Sequence, residues 1–269
     1  MKRKKREKTS NIILTLIFLA GLSLLLYPTV SDWWNATRQT KAIASYIEEV
    51  EDMSGHKYDY MWKNALTYNE QMGGPNASFS VRADYEKQLD IDGTGIMGYV
   101  DIPSIRCYLP VYHGTDEEFL QIAIGHLDWT SLPVGGKSSH CVISGHRGLP
   151  RAKLFTNLDQ MKEGDVFMLH VLDETLTYEV DLISIIEPED IEPLLIEKNK
   201  DLCTLMTCTP YGVNSHRLLV RGHRIENLQE TNVSIDAVEL DSLLVASILL
   251  IPILFISLML IWIYDWRKR

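Results

Sequence analysis

A thiol, an imidazole and a guanidinium occur where strand-like segments end, and together they could perform acyl transfer. Cys208 closes an apolar run just before Pro210 and Gly212 force a turn. His146 follows another apolar run that ends in a turn, and Arg217 lies nine residues after Cys208. Cysteine-based acyl transfer needs a nucleophile, a group that carries protons and a partner for the oxyanion, which these three side chains supply.

The other three cysteines have a different context. Cys107, Cys141 and Cys203 lie within apolar, strand-like runs, so each is expected to be a small buried hydrophobic residue. Cys203 is five positions from Cys208, and strand alternation therefore points the two side chains to opposite faces. The sequence fixes no disulfide pairing.

Other histidines and arginines compete for the same roles. His126, in a Gly-His-Leu segment, is expected to be structural. His216 adjoins Arg217, so strand alternation points it the other way. Arg221 and Arg224 share the strand with Arg217, and both are expected to be solvated surface residues.

No pattern for a cofactor or a metal ion is present. His-x-His and Cys-x-x-Cys spacings are absent, and Gly93 to Gly95 lacks the rest of a phosphate-binding loop. The sequence therefore predicts chemistry that needs no cofactor.

Two uncharged apolar segments, residues 11–30 and 243–264, each have about the ~20 residues that a membrane-crossing helix needs. Basic residues flank the outer end of both, in the tails 1–10 and 265–269. The positive-inside rule then puts both termini in the cytoplasm and the middle of the chain outside, in a two-pass protein of the plasma membrane. The first segment is interpreted as an uncleaved anchor; the alternative is a cleaved signal peptide, but no good Ala-x-Ala site follows it.

The charge of the chain is unevenly distributed. The whole chain carries −10, whereas residues 1–10 carry +5 and residues 265–269 carry +2, so residues 11–264 carry −17. A region this acidic is a poor ligand for nucleic acid. Membrane lipid and protein partners are therefore expected, and nucleic acid is not.

The organisation between the apolar segments changes once. Residues 31–94 are predicted to be helical over 36–72, with Gly55 as a break, and then to form a Gly-rich loop. Residues 95–225 show short strands, which are typical of a closed barrel or a sandwich, and a linker follows at 226–242. The predicted strands are 96–102, 107–112, 139–145, 165–171, 174–186, 202–208 and 217–224, with short helices at 116–122 and 151–158.

Several segments, in this order along the chain, resemble the sortases, and in particular the class C sortases that polymerise pilins in Gram-positive bacteria. The resemblance covers about half the chain. The segments are IMGYVDIP at 96–103, GHL at 125–127 leading to TSLP at 130–133, GHRGLP at 145–150, TLMTC at 204–208 and NSHRLLVRG at 214–222. Two flanking membrane segments are also similar to the class C layout.

The resemblance implies a mainly β fold, with a closed eight-stranded barrel, short helices, an N-terminal helical region and two flanking transmembrane helices. It also implies a transpeptidase in which Cys208 attacks the Thr–Gly bond of an LPXTG-like sorting signal on a pilin or surface protein. His146 would protonate the leaving amine, and Arg217 would hold the oxyanion or the substrate carbonyl. A pilin lysine would then resolve the thioacyl enzyme.

Three alternatives differ in the fate of the acyl group: attachment to cell-wall peptidoglycan by an anchoring sortase, hydrolysis by an extracellular cysteine protease or amidase, and no chemistry in a membrane scaffold. The motifs and the second apolar segment favour the polymerase. One departure from class C is the missing Asp-Pro-aromatic motif of its lid, since no Asp-Pro pair precedes the barrel. The loop at 70–82 is therefore expected to be mobile and at most a weak gate.

Overall fold

The computed structural model describes residues 2–72 and 84–227. Most of the predicted loop at 70–82 lies outside the described residues. So does everything predicted beyond residue 227, including the second apolar segment at 243–264.

Helix α1, Lys2–Glu51, contains the first apolar segment. Its stretch Ile13–Glu51 reaches a mean hydropathy of 2.2 over its most apolar 18 residues, and none of that window is buried. The exposed apolar side chains include Leu14, Ile17, Leu24 and Leu25. One helix in the described part of the chain is therefore long and apolar enough to cross a membrane.

The barrel, helix α2 and the part of α1 after residue 30 form one compact unit, and residues 2–30 are assigned to another unit. Helix α2, Gly55–Met72, begins at the predicted break. Its buried residues Met61, Ala65, Tyr68 and Asn69 lie on one face at helical spacing. Within this unit, α1 is fastened to the barrel by Tyr46, whose hydroxyl accepts a hydrogen bond from the Leu172 amide at 2.7 Å.

Eight strands close into a barrel with the order β1-β2-β3-β4-β7-β8-β6-β5, which confirms the barrel and excludes the sandwich. The strands are β1 Ile96–Ile102, β2 Cys107–His113, β3 Ile124–His126, β4 Ser139–Ser144, β5 Val166–Val171, β6 Glu174–Ile186, β7 Asp201–Thr209 and β8 His216–Arg224. The pairs β2–β3 and β4–β7 are parallel, and the other neighbours are antiparallel.

Alternate residues of the strands fill the barrel interior, as a two-residue period requires. The buried interior residues include Val100, Ile102, Leu109, Val111, Cys141, Ile143, Phe167, Leu169, Tyr178, Cys203, Leu205, Leu218 and Val220. A second cluster lies outside the barrel wall and contains Leu127, Val142, Ile186, Leu194 and Leu219. Strands β4, β7 and β8 are thus covered on both faces along part of their length.

The structure corrects two of the predicted elements. The α-helix predicted at 151–158 is absent: residues 151–157 are mostly in turns, and a short 3₁₀ helix forms at Leu158–Gln160. The physical reason is that this segment is held by distant partners, with the Lys153 amide donating to Asp32 Oδ1 at 2.8 Å. The helix predicted at 116–122 is the shorter α3, Glu117–Leu120.

Candidate active site

Cys208 lies near the end of β7 and points away from the barrel interior. Cys203 and Leu205 on the same strand belong to the interior core, so the even-numbered positions face outward. Met206, two residues before Cys208, packs against the outer cluster. Cys208 is half-buried, whereas the other three cysteines are buried, as their sequence context predicts.

His146 is brought beside Cys208 by the parallel pairing of β4 with β7. Ser144 is the Cα partner of Met206, and continuing this register for two residues places His146 next to Cys208. Two bonds carry the pairing past the strand end. The Gly145 amide donates to Met206 O at 3.0 Å, and Thr207 Oγ1 donates to Gly145 O at 2.7 Å. Neighbouring strands are ~4.8 Å apart, and these two bonds continue that spacing to Gly145 and Thr207, the residues directly before His146 and Cys208.

Arg217 lies on the other side of Cys208, on β8. The two residues are Cα partners in the antiparallel β7–β8 pair, so their side chains share one face. Leu219, two residues further along β8, belongs to the outer cluster, which confirms that this face is the outer one. The Arg217 Nη1 atom donates to the carbonyl oxygens of Asn214 and His216, at 3.3 and 3.2 Å.

Cys208 and Arg217 therefore lie on the adjacent strands β7 and β8, and His146 follows the end of β4, the other neighbour of β7, at the same end of the barrel. This arrangement can place a carbonyl carbon at the sulfur, a proton carrier on one side of it and a fixed positive charge on the other. Arginine suits the last position because its guanidinium stays charged at working pH and offers several directed donors.

Burial separates two of the remaining cysteines, Cys107 and Cys203, from this chemistry. Desolvation raises the pKa of the Cys107 thiol, with a smaller contribution from the negative charge of Asp101. Desolvation also raises the pKa of Cys203 well above its ordinary value. A thiol rather than a thiolate is a poor nucleophile, so neither residue competes with Cys208.

Glu117 is a neighbour of His146 that the sequence analysis missed. Its Oε2 lies 3.4 Å from Nε2 of His146, and this histidine nitrogen is buried. This distance is longer than that of a good hydrogen bond. The only signal in the sequence is the acidic run from Asp116 to Glu118, and nothing in that run connects it with a histidine 29 residues away.

His126 is structural, as predicted. Its ring is fully buried, with Nδ1 2.9 Å from the Tyr85 hydroxyl and Nε2 2.8 Å from the carbonyl oxygen of Ser131. His216 faces away from the cysteine position and lies 3.2 Å from a carboxylate oxygen of Glu187.

The prediction that Arg221 and Arg224 are solvated surface residues is wrong. Arg221 forms two hydrogen bonds with the carboxylate of Asp181, at 2.9 and 3.2 Å, and one with Glu197 at 2.9 Å. Arg224 donates to the carbonyl oxygens of Thr177 and Ile225. Both side chains reach across to β6, the strand paired with β8, where Asp181 and Thr177 accept their hydrogen bonds.

Comparisons with known proteins agree with this geometry. The sortase domain model matches residues 100–225. A crystal structure of sortase C1 from Streptococcus agalactiae is 49% identical, with a TM-score of 0.67, and the match covers 70% of this chain and 100% of that one. Sortase C from Clostridium perfringens, solved with the C-terminal cell wall sorting motif, is 40% identical with a TM-score of 0.64, and the match covers 70% and 100%.

Among curated relatives, sortase D of Bacillus subtilis is 28% identical over 131 residues, which are 48% of this chain and 63% of that protein. The chain thus spans less than two thirds of this relative.

A closed eight-stranded barrel with a half-exposed cysteine at a strand end defines a cysteine transpeptidase of the sortase type. The chain belongs to the sortase family, and within it to the class C sortases, which polymerise pilins.

Proposed function

We propose that this sortase cleaves an LPXTG-like sorting signal between Thr and Gly and transfers the acyl group to a lysine of a pilin. The observation that supports the proposal is the strand register: Cys208 and Arg217 are direct partners across β7 and β8, and His146 lies two residues past the Ser144–Met206 pair of β4 and β7. The sorting motif bound to the sortase C of Clostridium perfringens supports the substrate class.

The first half of the reaction follows from this arrangement. The Cys208 thiol gives its proton to His146, the sulfur attacks the carbonyl carbon of the threonine, and the electron pair of the C=O bond moves to the oxygen. Arg217 stabilises the oxyanion so formed. When the oxyanion collapses, the C–N bond to glycine breaks, His146 donates a proton to the leaving amine, and a thioester remains on Cys208.

The second half repeats these steps in reverse order with a new amine. The lysine amine of the next pilin attacks the thioester, His146 accepts its proton, and the sulfur leaves. The product is an isopeptide bond. Water in place of the amine would make the enzyme a hydrolase, and a peptidoglycan amine would make it an anchoring sortase. Identities of 40–49% to sortase C, against 28% to sortase D, favour the pilin lysine.

The membrane arrangement belongs to the same proposal. The apolar part of α1 anchors the chain in membrane lipid, the apolar segment at 243–264 forms the second crossing, and the barrel is extracellular. Both termini then lie in the cytoplasm. Labelling of either end by a membrane-impermeant thiol reagent in intact cells, at cysteines engineered near Ser10 and Arg269, would contradict this topology.

Co-expression with the cognate pilin tests the function. The expected product is a ladder of covalent multimers that survives boiling in detergent and reductant and is lost when the acceptor lysine is replaced. Monomeric pilin attached to wall fragments would show an anchoring sortase instead. Cleaved, free pilin as the main product would show a hydrolase.

A further inference from the structure

The loops that carry the proposed catalytic pair are joined on one side by the end of the β4–β7 ladder. That junction consists of the hydrogen bonds from Gly145 N to Met206 O and from Thr207 Oγ1 to Gly145 O. Beyond this junction, each of the two loops turns away and forms backbone hydrogen bonds of its own. The Phe155 amide donates to His146 O at 3.2 Å, and the β7–β8 turn closes within itself.

A second junction lies on the far side of the pair, and it is made by Tyr211. Its ring rests against Gly148 so closely that a Cβ at Gly148 would lie 2.7 Å from Cε2 and 2.8 Å from Cζ. Gly148 also has a φ of +77°, which favours glycine. Tyr211 follows Cys208 by three residues and Gly148 follows His146 by two, so this contact spans the gap between the two loops.

Arg147 connects this junction to Asp159, which lies in the 3₁₀ helix Leu158–Gln160. Its guanidinium carbon lies 5.8 Å from the centroid of the Tyr211 ring, within the range of a cation–π contact. The same guanidinium forms an ion pair with Asp159. The Gly148 amide donates to Thr156 Oγ1 at 3.1 Å, so the loop under Tyr211 is itself anchored.

We propose that Tyr211 is a positioning residue, which holds the loop carrying His146 at a fixed distance from the strand end carrying Cys208. This rests on the proposed function, because the distance matters only if the two side chains share a proton transfer with the substrate. Tyr211 does so through the contact of its ring with Gly148 and Arg147. The hydroxyl is not required.

The high exposure of Tyr211 indicates that this residue affects the geometry of the site rather than the folding of the barrel. The side chain is 60% exposed, so its removal takes little apolar area out of the core. Proton transfer and nucleophilic attack depend strongly on distance, and a displacement of ~1 Å can cost about 10²-fold in rate. Truncation of Tyr211 should therefore reduce kcat about tenfold or more, while KM for the sorting peptide stays within about twofold.

The test compares three variants of the full chain in detergent, with Arg147→Met as a fourth that probes the same junction. Tyr211→Ala removes the contact, Tyr211→Phe keeps the ring, and Val213→Ala is the matched control, because Val213 is in the same turn and is 70% exposed. Steady-state kinetics use a fluorogenic LPXTG peptide with an amine acceptor. Amide hydrogen exchange over residues 146–150 provides a readout that needs no substrate.

We expect Tyr211→Ala to lower kcat and to accelerate exchange in 146–150, whereas Tyr211→Phe and Val213→Ala behave like the wild type. Arg147→Met should produce a smaller change of the same kind, which covers the case that Tyr211→Ala folds poorly. Equal behaviour of Tyr211→Ala and Val213→Ala would overturn the proposal, as would a rise in KM at constant kcat. Failure of the function itself is distinguishable, since the wild type would then give no acyl transfer while the exchange measurement still reports on the junction.

Discussion

Cys208 and Arg217 are directly opposite each other in the antiparallel β7–β8 pair, on the outer face of the barrel. Directly opposite residues have Cβ atoms about 4.5–5.5 Å apart, so a substrate carbonyl bound at the sulfur lies within reach of the guanidinium. The register of a single strand pair thus determines which arginine can serve the oxyanion. Arg221 is only four residues further along β8, yet its cross-strand partner is Thr204 and its side chain donates a hydrogen bond to Asp181.

Replacement of Arg217 by lysine should remove most of the transfer activity although the charge is kept. Lysine presents a point charge and lacks the planar set of directed donors that arginine has. Loss of one oxyanion donor costs about 10²–10³ in rate, and kcat with a sorting peptide measures this loss. Nearly normal turnover by Arg217→Lys would show that Arg217 is not the oxyanion partner.

Cys208→Ala should abolish transfer without disturbing the fold, because Cys208 lies outside the barrel core and only its thiol forms the acyl enzyme. Intact-protein mass spectrometry after incubation with a sorting peptide should show a thioacyl adduct on the wild type and none on Cys208→Ala. Cys107→Ala is the matched control and should keep the adduct. An adduct located on Cys107, Cys141 or Cys203 would rule out the assignment.

Glu117→Gln should have a small effect that Glu118→Gln lacks. Glu117 lies 3.4 Å from His146, but its side chain is 70% exposed, and exposed ion pairs contribute little. We therefore expect kcat to change by at most about fivefold, mostly at low ionic strength, where screening is weak. Glu118 is an exposed carboxylate on the same helix and provides the control. A loss of more than 100-fold in Glu117→Gln alone would mean that Glu117 contacts the substrate.

The parts of the fold that the sequence predicts are those set by local pattern. Seven strands were predicted within about one residue of their ends, because their apolar residues and flanking turns carry the signal. Strand β3 was missed because it has three residues and exists only through its pairing with β2 and β4. Likewise, residues 151–158 contain apolar residues at helix-like spacing, but contacts with α1 hold them as turns.

The site shows the same division between local and distant information. Motifs identify Cys208, His146 and Arg217 as candidates, yet their proximity depends on the parallel β4–β7 pairing of segments about 60 residues apart. Partners such as Glu117 and Tyr211 have no motif, because a glutamate on a short helix and a tyrosine in a turn are common surface residues. Only the three-dimensional arrangement shows which side chain each of them touches.

The stability of the barrel should fall as the pH drops from about 6.5 to 4, and His170 should account for part of this. His170 on β5 stacks on Tyr99, with ring centroids 4.5 Å apart, and burial lowers its pKa to about 4. In the unfolded chain a histidine has a pKa of ~6.5. Between these two values the unfolded state binds more protons than the folded state, so the free energy of unfolding decreases as the pH falls.

Between pH 4 and 6.5, one such histidine changes the free energy of unfolding by up to about 1.4 kcal/mol per pH unit. Above pH ~6.5 it contributes almost no pH dependence. Thermal melting of the detergent-solubilised chain at pH 7 and pH 5 measures the effect. His170→Gln should reduce the difference in Tm between the two pH values, whereas His56→Gln, at an exposed position of α2, should leave it unchanged. A part of the difference should remain in His170→Gln, because burial also lowers the pKa of His113 and His140. An unchanged difference in His170→Gln would show that this histidine is not neutralised by the fold.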